Sequence, residues 1–128
     1  MKYSHQREEI LTIIKASQGH MSATDVYRKV KNVIPNISLG TVYRNLNALA
    51  DHGFIRRIIM PHESDLYDYN IESHSHLYCL KCKQLFDLNP DVDKKMKHLV
   101  EKTTGHRITK SSVVFEGICH RCVLEEEG

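Results

Sequence analysis

All four cysteines of this 128-residue chain fall in two Cys-x-x-Cys pairs, Cys79-Leu80-Lys81-Cys82 and Cys119-His120-Arg121-Cys122, with residues 83–118 between them. Four thiolates give Zn²⁺ a closed tetrahedral shell with no position left for a substrate, so the chemistry expected here is structural zinc. The interval is longer than that of an ordinary zinc ribbon, so the ion would staple a strand pair to the C-terminal segment. Redox-active dithiols or unconnected core cysteines are the other readings of the same residues. Two pairs on one short chain without an export signal favour the metal. His120, inside the second pair, could compete as a ligand, but with four thiolates present it is expected to be exposed.

A second group carries harder donors. His74-Ser75-His76 places imidazoles at i and i+2, which point to one face of an extended segment. Asp68 lies on the preceding strand candidate, Asp87 on the following one, and His20 in the loop between the first two helices. Three imidazoles and two carboxylates suit Fe²⁺, Mn²⁺ or Zn²⁺ and tolerate exchange, unlike a Cys₄ site. Were His20 to join, the metal would tie the helical half to the second half and fix their relative angle. For His-x-His alone, solvated surface histidines are the alternative. His5, His52, His62, His98 and His106 are read as solvated or locally bonded.

The third group is Ser38-Leu39-Gly40-Thr41-Val42-Tyr43-Arg44-Asn45-Leu46-Asn47. With Val42 and Leu46 turned inward, Thr41, Tyr43, Arg44 and Asn47 fall on exposed helix faces. Hydroxyl, aromatic, guanidinium and amide together are what base edges and phosphates require. Arg56 and Arg57, on a neighbouring hairpin, would reach the flanking backbone. An ordinary polar helix face is the alternative.

The elements that must hold these groups are legible as patterns. Apolar residues at helical spacing in 7–17, closed by Gly19, predict a first helix. Ser22 caps a second over Ala23–Val33, with Val26, Tyr27 and Val30 on one face. Ser38 caps a third, with the stripe Val42, Leu46 and Leu49, ending at Gly53. Phe54–Met60 and Leu66–Ile71 then form a β-hairpin. Three short helices followed by a hairpin is the order of a winged helix-turn-helix. Beyond it, His76–Cys79, Leu85–Leu88 and Ser112–Ile118 are strand candidates. Pro90 opens a helix with Val92, Met96, Leu99 and Val100 inward, and Gly105 ends it. The expected fold is α+β: a winged-helix DNA-binding domain over 1–71, then a small α+β dimerisation and metal-binding domain over 72–128, joined by a short hinge near 70–75.

Composition narrows the function classes. Apolar residues make up 41% and charged residues 27%, ordinary for a folded chain. No apolar stretch could span a bilayer, and Met1–Arg7 lacks the apolar run of a secretory signal; a cytoplasmic protein without membrane contact is expected. Residues 1–60 carry nine Lys/Arg against four Asp/Glu, and residues 61–128 nine against twelve. The front half is therefore the one that would approach a polyanion.

Taken together, the residues resemble the ferric uptake regulator (Fur) family over nearly the whole chain. The resemblance is carried by Gln6-Arg7, Gly19-His20 through Tyr27, Thr41 through Leu46, His74 through Cys82, and Gly117 through Cys122. It implies a homodimeric, metal-dependent repressor that binds double-stranded operator DNA and is not an enzyme. Within the family the peroxide-responsive, PerR-like branch matches best, since His20, Asp68, His74, His76 and Asp87 stand at the positions of its regulatory iron or manganese ligands. The iron-uptake branch has glutamates at the two aspartate positions. Its additional metal site is lost here, with Ser73, Ser75 and Ser111 in place of ligands. Implied, too, is the mechanism of that branch: peroxide reacts at Fe²⁺, oxidises His20 or His74, and releases metal and DNA. Mn²⁺ supports DNA binding without that chemistry, and peroxide is the sole small-molecule substrate. Family members commonly carry about one more helix before the Gln6-Arg7 position, where this chain almost begins.

Three other readings compete. One is an iron- or zinc-responsive repressor of the same family without peroxide chemistry. A metallohydrolase built on His74, His76, Asp68 and Asp87 would lack a suggestive nucleophile or general base and leave the basic front half unexplained. A zinc-stapled RNA-binding module would lack the usual aromatic stacking pattern.

Overall fold

In the computed structural model, residues 4–17, 19–71 and 75–127 are described. The chain divides into two units, 1–71 and 72–128.

The first unit begins with three helices, each started by a serine that satisfies an open amide of its first turn. Ser4 caps α1 (His5–Ala16), Ser22 caps α2 (Ala23–Val30) and Ser38 caps α3 (Leu39–Asp51). At α2 the cap is reciprocal, because Asp25 also accepts from the Ser22 amide, and such caps contribute about 1 kcal/mol each. Ile10 and Ile14 from α1, Val26 and Val30 from α2, and Val42, Leu46 and Leu49 from α3 form one buried core. α2 ends three residues earlier than its pattern suggests, where the Asn32 and Val33 amides return to the Lys29 and Val30 carbonyls and tighten the chain into a turn. α3 closes in a left-handed turn at Gly53 (φ 80°), with the Phe54 amide bonded to the Leu49 carbonyl and the Gly53 amide to Ala50.

The expected hairpin is present in shorter form, as β2 (Arg56–Ile58) and β3 (Leu66–Asp68). A further strand, β1 (Met21–Ser22), pairs with the other side of β3, giving an antiparallel sheet of order β1-β3-β2. Tyr67, at its centre, is paired with both Met21 and Arg57.

In the second unit, β4 (His76–Cys79) is central. It pairs antiparallel with β5 (Leu85–Asp87) and parallel with β6 (Val114–Gly117). A parallel pair needs a long crossover, and α4 (Pro90–Thr104) supplies it. Asn89 caps α4, Pro90 occupies its first turn, and Gly105 (φ 77°) ends it. Its expected inward stripe is only partly covered: Val92 and Met96 are half-buried, but Leu99 is 61% exposed and Val100 41%. The C-terminal residues form a further helix, α5 (His120–Glu127), held to the β4–β5 hairpin by Arg121 on Gln84 and Phe86 and by Lys81 on Glu126. One buried cluster of this unit is Cys79, Cys119 and Cys122, flanked by Leu77, Cys82, Phe86 and Ile118, and His76 and Tyr78 of β4 are buried as well.

Candidate functional site

The two Cys-x-x-Cys pairs converge. Cys79 ends β4 and Cys82 sits in the tight turn that follows, closed by the Lys83 amide on the Cys79 carbonyl; Cys119 and Cys122 flank the start of α5. The Sγ atoms of Cys79 and Cys122 are 3.8 Å apart, as are those of Cys82 and Cys119. A disulfide would bring them to about 2 Å. Zinc–sulfur bonds of about 2.3 Å in a tetrahedron put sulfurs about 3.8 Å apart, which these two separations match, and all four sulfurs lie within 4.8 Å of one another. Local amides prepare it. The N–H groups of Cys82 and Cys119 point at the Cys79 sulfur and, with the Cys82 amide foremost, lower its thiol to about 6. Burial pushes Cys122 the other way, up to about 12.

The harder donors form two pairs, one in each unit. In the first, His20 Nε2 lies 3.5 Å from Asp68 Oδ2. In the second, His76 and Asp87 are directly opposed in the β4–β5 ladder, with His76 Nε2 3.1 Å from Asp87 Oδ1. His76 is 1% exposed, whereas the Asp87 side chain is 57% exposed. A buried imidazole nitrogen facing a carboxylate oxygen is a donor pair that suits Fe²⁺, Mn²⁺ or Zn²⁺. His74 lies outside the described residues. Ser75, at a position where the family's additional site would carry a ligand, instead donates its hydroxyl hydrogen to Asp93. His120 is exposed, as expected.

On α3, Thr41 and Tyr43 are half-buried, Tyr43 packing against the core, and Arg44 is exposed. The Arg44 guanidinium folds back to donate to Thr41 Oγ1 at 3.0 Å, and Thr41 shares a 2.9 Å hydrogen bond with Ser38. Asn47 Oδ1 accepts from Arg57 Nη1 (3.2 Å) and from the Tyr67 hydroxyl (3.1 Å). The two hairpin arginines part company: Arg57 is exposed, but Arg56 is only 7% exposed and lies on the side of the strand that carries buried Ile58. Period-two alternation along β2 would have foretold that difference. The involvement of Tyr67 and of Asn45, which accepts from Arg7 Nε and donates to the Thr41 carbonyl, carries no local sequence signal.

The profile of the ferric uptake regulator family matches residues 1–116. The chain belongs to the ferric uptake regulator family. As a member it is a metal-responsive regulator, with the expected α+β fold. Among family relatives, the peroxide-responsive repressor PerR of Staphylococcus epidermidis is 29% identical over 129 residues, spanning 100% of this chain and 84% of that protein. The solved Campylobacter jejuni peroxide stress regulator is 32% identical with a TM-score of 0.74, covering 91% of this chain and 88% of the other. The Helicobacter pylori ferric uptake regulator, described as having three functional metal binding sites, gives a TM-score of 0.78 at 25% identity, covering 96% and 83%. Both branches of the family thus share this fold.

Proposed function

We propose that the chain is a homodimeric, metal-dependent transcriptional repressor that binds double-stranded operator DNA and responds to peroxide. Residues 1–71 are the DNA-binding domain in this reading, and residues 72–128 the dimerisation domain. Zn²⁺ on Cys79, Cys82, Cys119 and Cys122 is structural. The regulatory Fe²⁺ or Mn²⁺ takes its ligands from His20, Asp68, His74, His76 and Asp87.

The observation that carries this reading is the pairing of buried His76 with Asp87 across β4 and β5. A short carboxylate at that position is the feature by which the sequence resembles the peroxide-responsive branch, and relatives of that branch are similar along the chain. Iron, when bound, would supply the redox chemistry with peroxide. The chain's part is to present imidazoles beside it. Once His20 or His74 has gained an oxygen it is a poorer donor, so the ligand set weakens and DNA is released. Thr41, Tyr43 and Arg44 on α3 are the residues that meet bases and phosphates, with Arg57 on the adjoining strand meeting the backbone. The exposed Leu99 and Val100 of α4 are consistent with a homodimer.

A peroxide titration of Fe²⁺- and Mn²⁺-loaded protein tests the reading, following DNA binding and oxygen addition to histidine-containing peptides. The expected result is one added oxygen on His20 or His74 and loss of DNA binding in the Fe²⁺ form alone. Unmodified histidines with undisturbed binding would replace it with the second reading, an iron- or zinc-level sensor. Similarity to the Helicobacter pylori ferric uptake regulator favours that alternative.

A further inference from the structure

Asn47 stands one turn after Tyr43, on the helix assigned above to DNA, yet its side-chain oxygen is already engaged. It accepts from Arg57 Nη1 and from the Tyr67 hydroxyl, filling both lone pairs of the amide carbonyl. The two donors are themselves cross-strand partners, Arg57 on β2 and Tyr67 on β3. One helix side chain therefore gathers a strand pair of the wing onto α3. Tyr67 is 1% exposed and cannot reach a nucleic acid. Burial raises its phenol above 10.0, so near neutral pH it remains a hydrogen-bond donor. Arg57 keeps the rest of its five N–H donors for a partner outside the protein, and it is exposed.

We propose that Asn47 and Tyr67 are positioning residues, which do not read DNA but lock the β2–β3 wing against α3, so that Arg57 meets a backbone phosphate at a fixed distance from Thr41, Tyr43 and Arg44. This rests on the DNA-binding reading above. It replaces the sequence expectation of a base contact by Asn47 with a role in geometry. Freely rotating, Arg57 would lose side-chain entropy on meeting a phosphate; held by Asn47, it has lost part of that freedom before DNA arrives.

The test uses full-length, zinc- and Mn²⁺-loaded protein as wild type, Tyr67→Phe, Asn47→Ala and the double variant. The DNA probes are a duplex selected by the wild type from a random pool and a scrambled duplex of the same composition. Tyr67→Phe, which removes one of the two hydrogen bonds, is expected to weaken binding to both duplexes by roughly three- to tenfold, and Asn47→Ala, which removes both, by at least as much. The double variant should be no weaker than the weaker single one, because both act through one brace. Without DNA, amides of residues 56–68 should exchange faster in both, while zinc content and Mn²⁺ affinity stay unchanged. The brace is overturned if Tyr67→Phe binds like the wild type while Asn47→Ala changes the preferred base at one position, for then Asn47 reads DNA itself. It is overturned too if the wild type binds and both variants match it in affinity and exchange. A wild type that selects no duplex sinks the DNA-binding reading, and the proposal with it.

Discussion

The sulfur of Cys82 lies 3.8 Å from that of Cys119, although 37 positions of sequence separate them. Strand β5, the crossover helix α4 and strand β6 all lie within that interval. The cluster they close is a buried core of the second unit. Removing zinc with a strong chelator should therefore loosen residues 72–128, with faster amide exchange and a lower melting temperature, while the first unit, with its own apolar core, is unaffected. Circular dichroism and amide exchange, mapped by unit, check this against the release of one zinc per chain. Retention of β4 and β6 protection after zinc loss would show that the apolar flank alone suffices.

Proton linkage gives that cluster a pH signature. The Cys79 thiol lies at about 6 in the folded chain, below its ordinary 9.0, held there by the amides of Cys82 and Cys119. A depressed folded value favours the folded metal-free state above the unfolded value, and the advantage is lost as pH falls through about 6. Zinc binding follows the same sign. Above about 6, Cys79 has no proton to give up; below it, one more proton must be displaced for each ion bound. Apparent zinc affinity, measured by competition with a chromogenic chelator, should fall with an additional tenfold per pH unit below about 6. A slope that does not steepen would contradict a preformed thiolate at Cys79.

At the second donor group the informative change is Asp87→Asn. The Asp87 side chain is largely exposed, so the substitution leaves packing intact, but it removes the charge 3.1 Å from His76 Nε2. Mn²⁺ affinity should drop at least tenfold, with zinc still at one per chain by native mass spectrometry. Unaltered Mn²⁺ affinity by calorimetry would remove Asp87 from the ligand set.

The parts of this fold that were legible in sequence are those encoded within a few residues. Gly53 and Gly105, read as helix terminators, both sit at positive φ, where a side chain is strained. Ser22 and Ser38, read as caps, each accept an amide of the first turn. The two Cys-x-x-Cys pairs form one cluster because such a spacing has few other chemical uses. What stayed hidden is non-local or too short to show a period. Strand β1 has two residues, which cannot display alternation. Helix α5 showed no such signal, since its register starts at the cysteine knuckle rather than at a serine cap. Helix periodicity placed Asn47 on a polar face, but nothing near it in sequence announces Tyr67, twenty residues on, as its partner.

The apolar stripe of α4 yields the last prediction. Val92, Met96, Leu99 and Val100 have the spacing of an inward face, yet Leu99 and Val100 remain exposed, and Phe115 on β6 is 42% exposed as well. The homodimer proposed above would cover the exposed Leu99 and Val100. In a two-fold dimer each substitution acts twice. Burying one leucine is worth about 1.5–3 kcal/mol, so Leu99→Asp should weaken dimerisation by a hundredfold or more. Sedimentation equilibrium on the zinc-loaded variant measures this directly. Because Leu99 is exposed within the chain, its replacement should leave the melting temperature of the monomer nearly unchanged. DNA affinity should fall in step with the dimer population, since two half-sites would no longer be held together. A Leu99→Asp protein that stays dimeric would move the interface off α4.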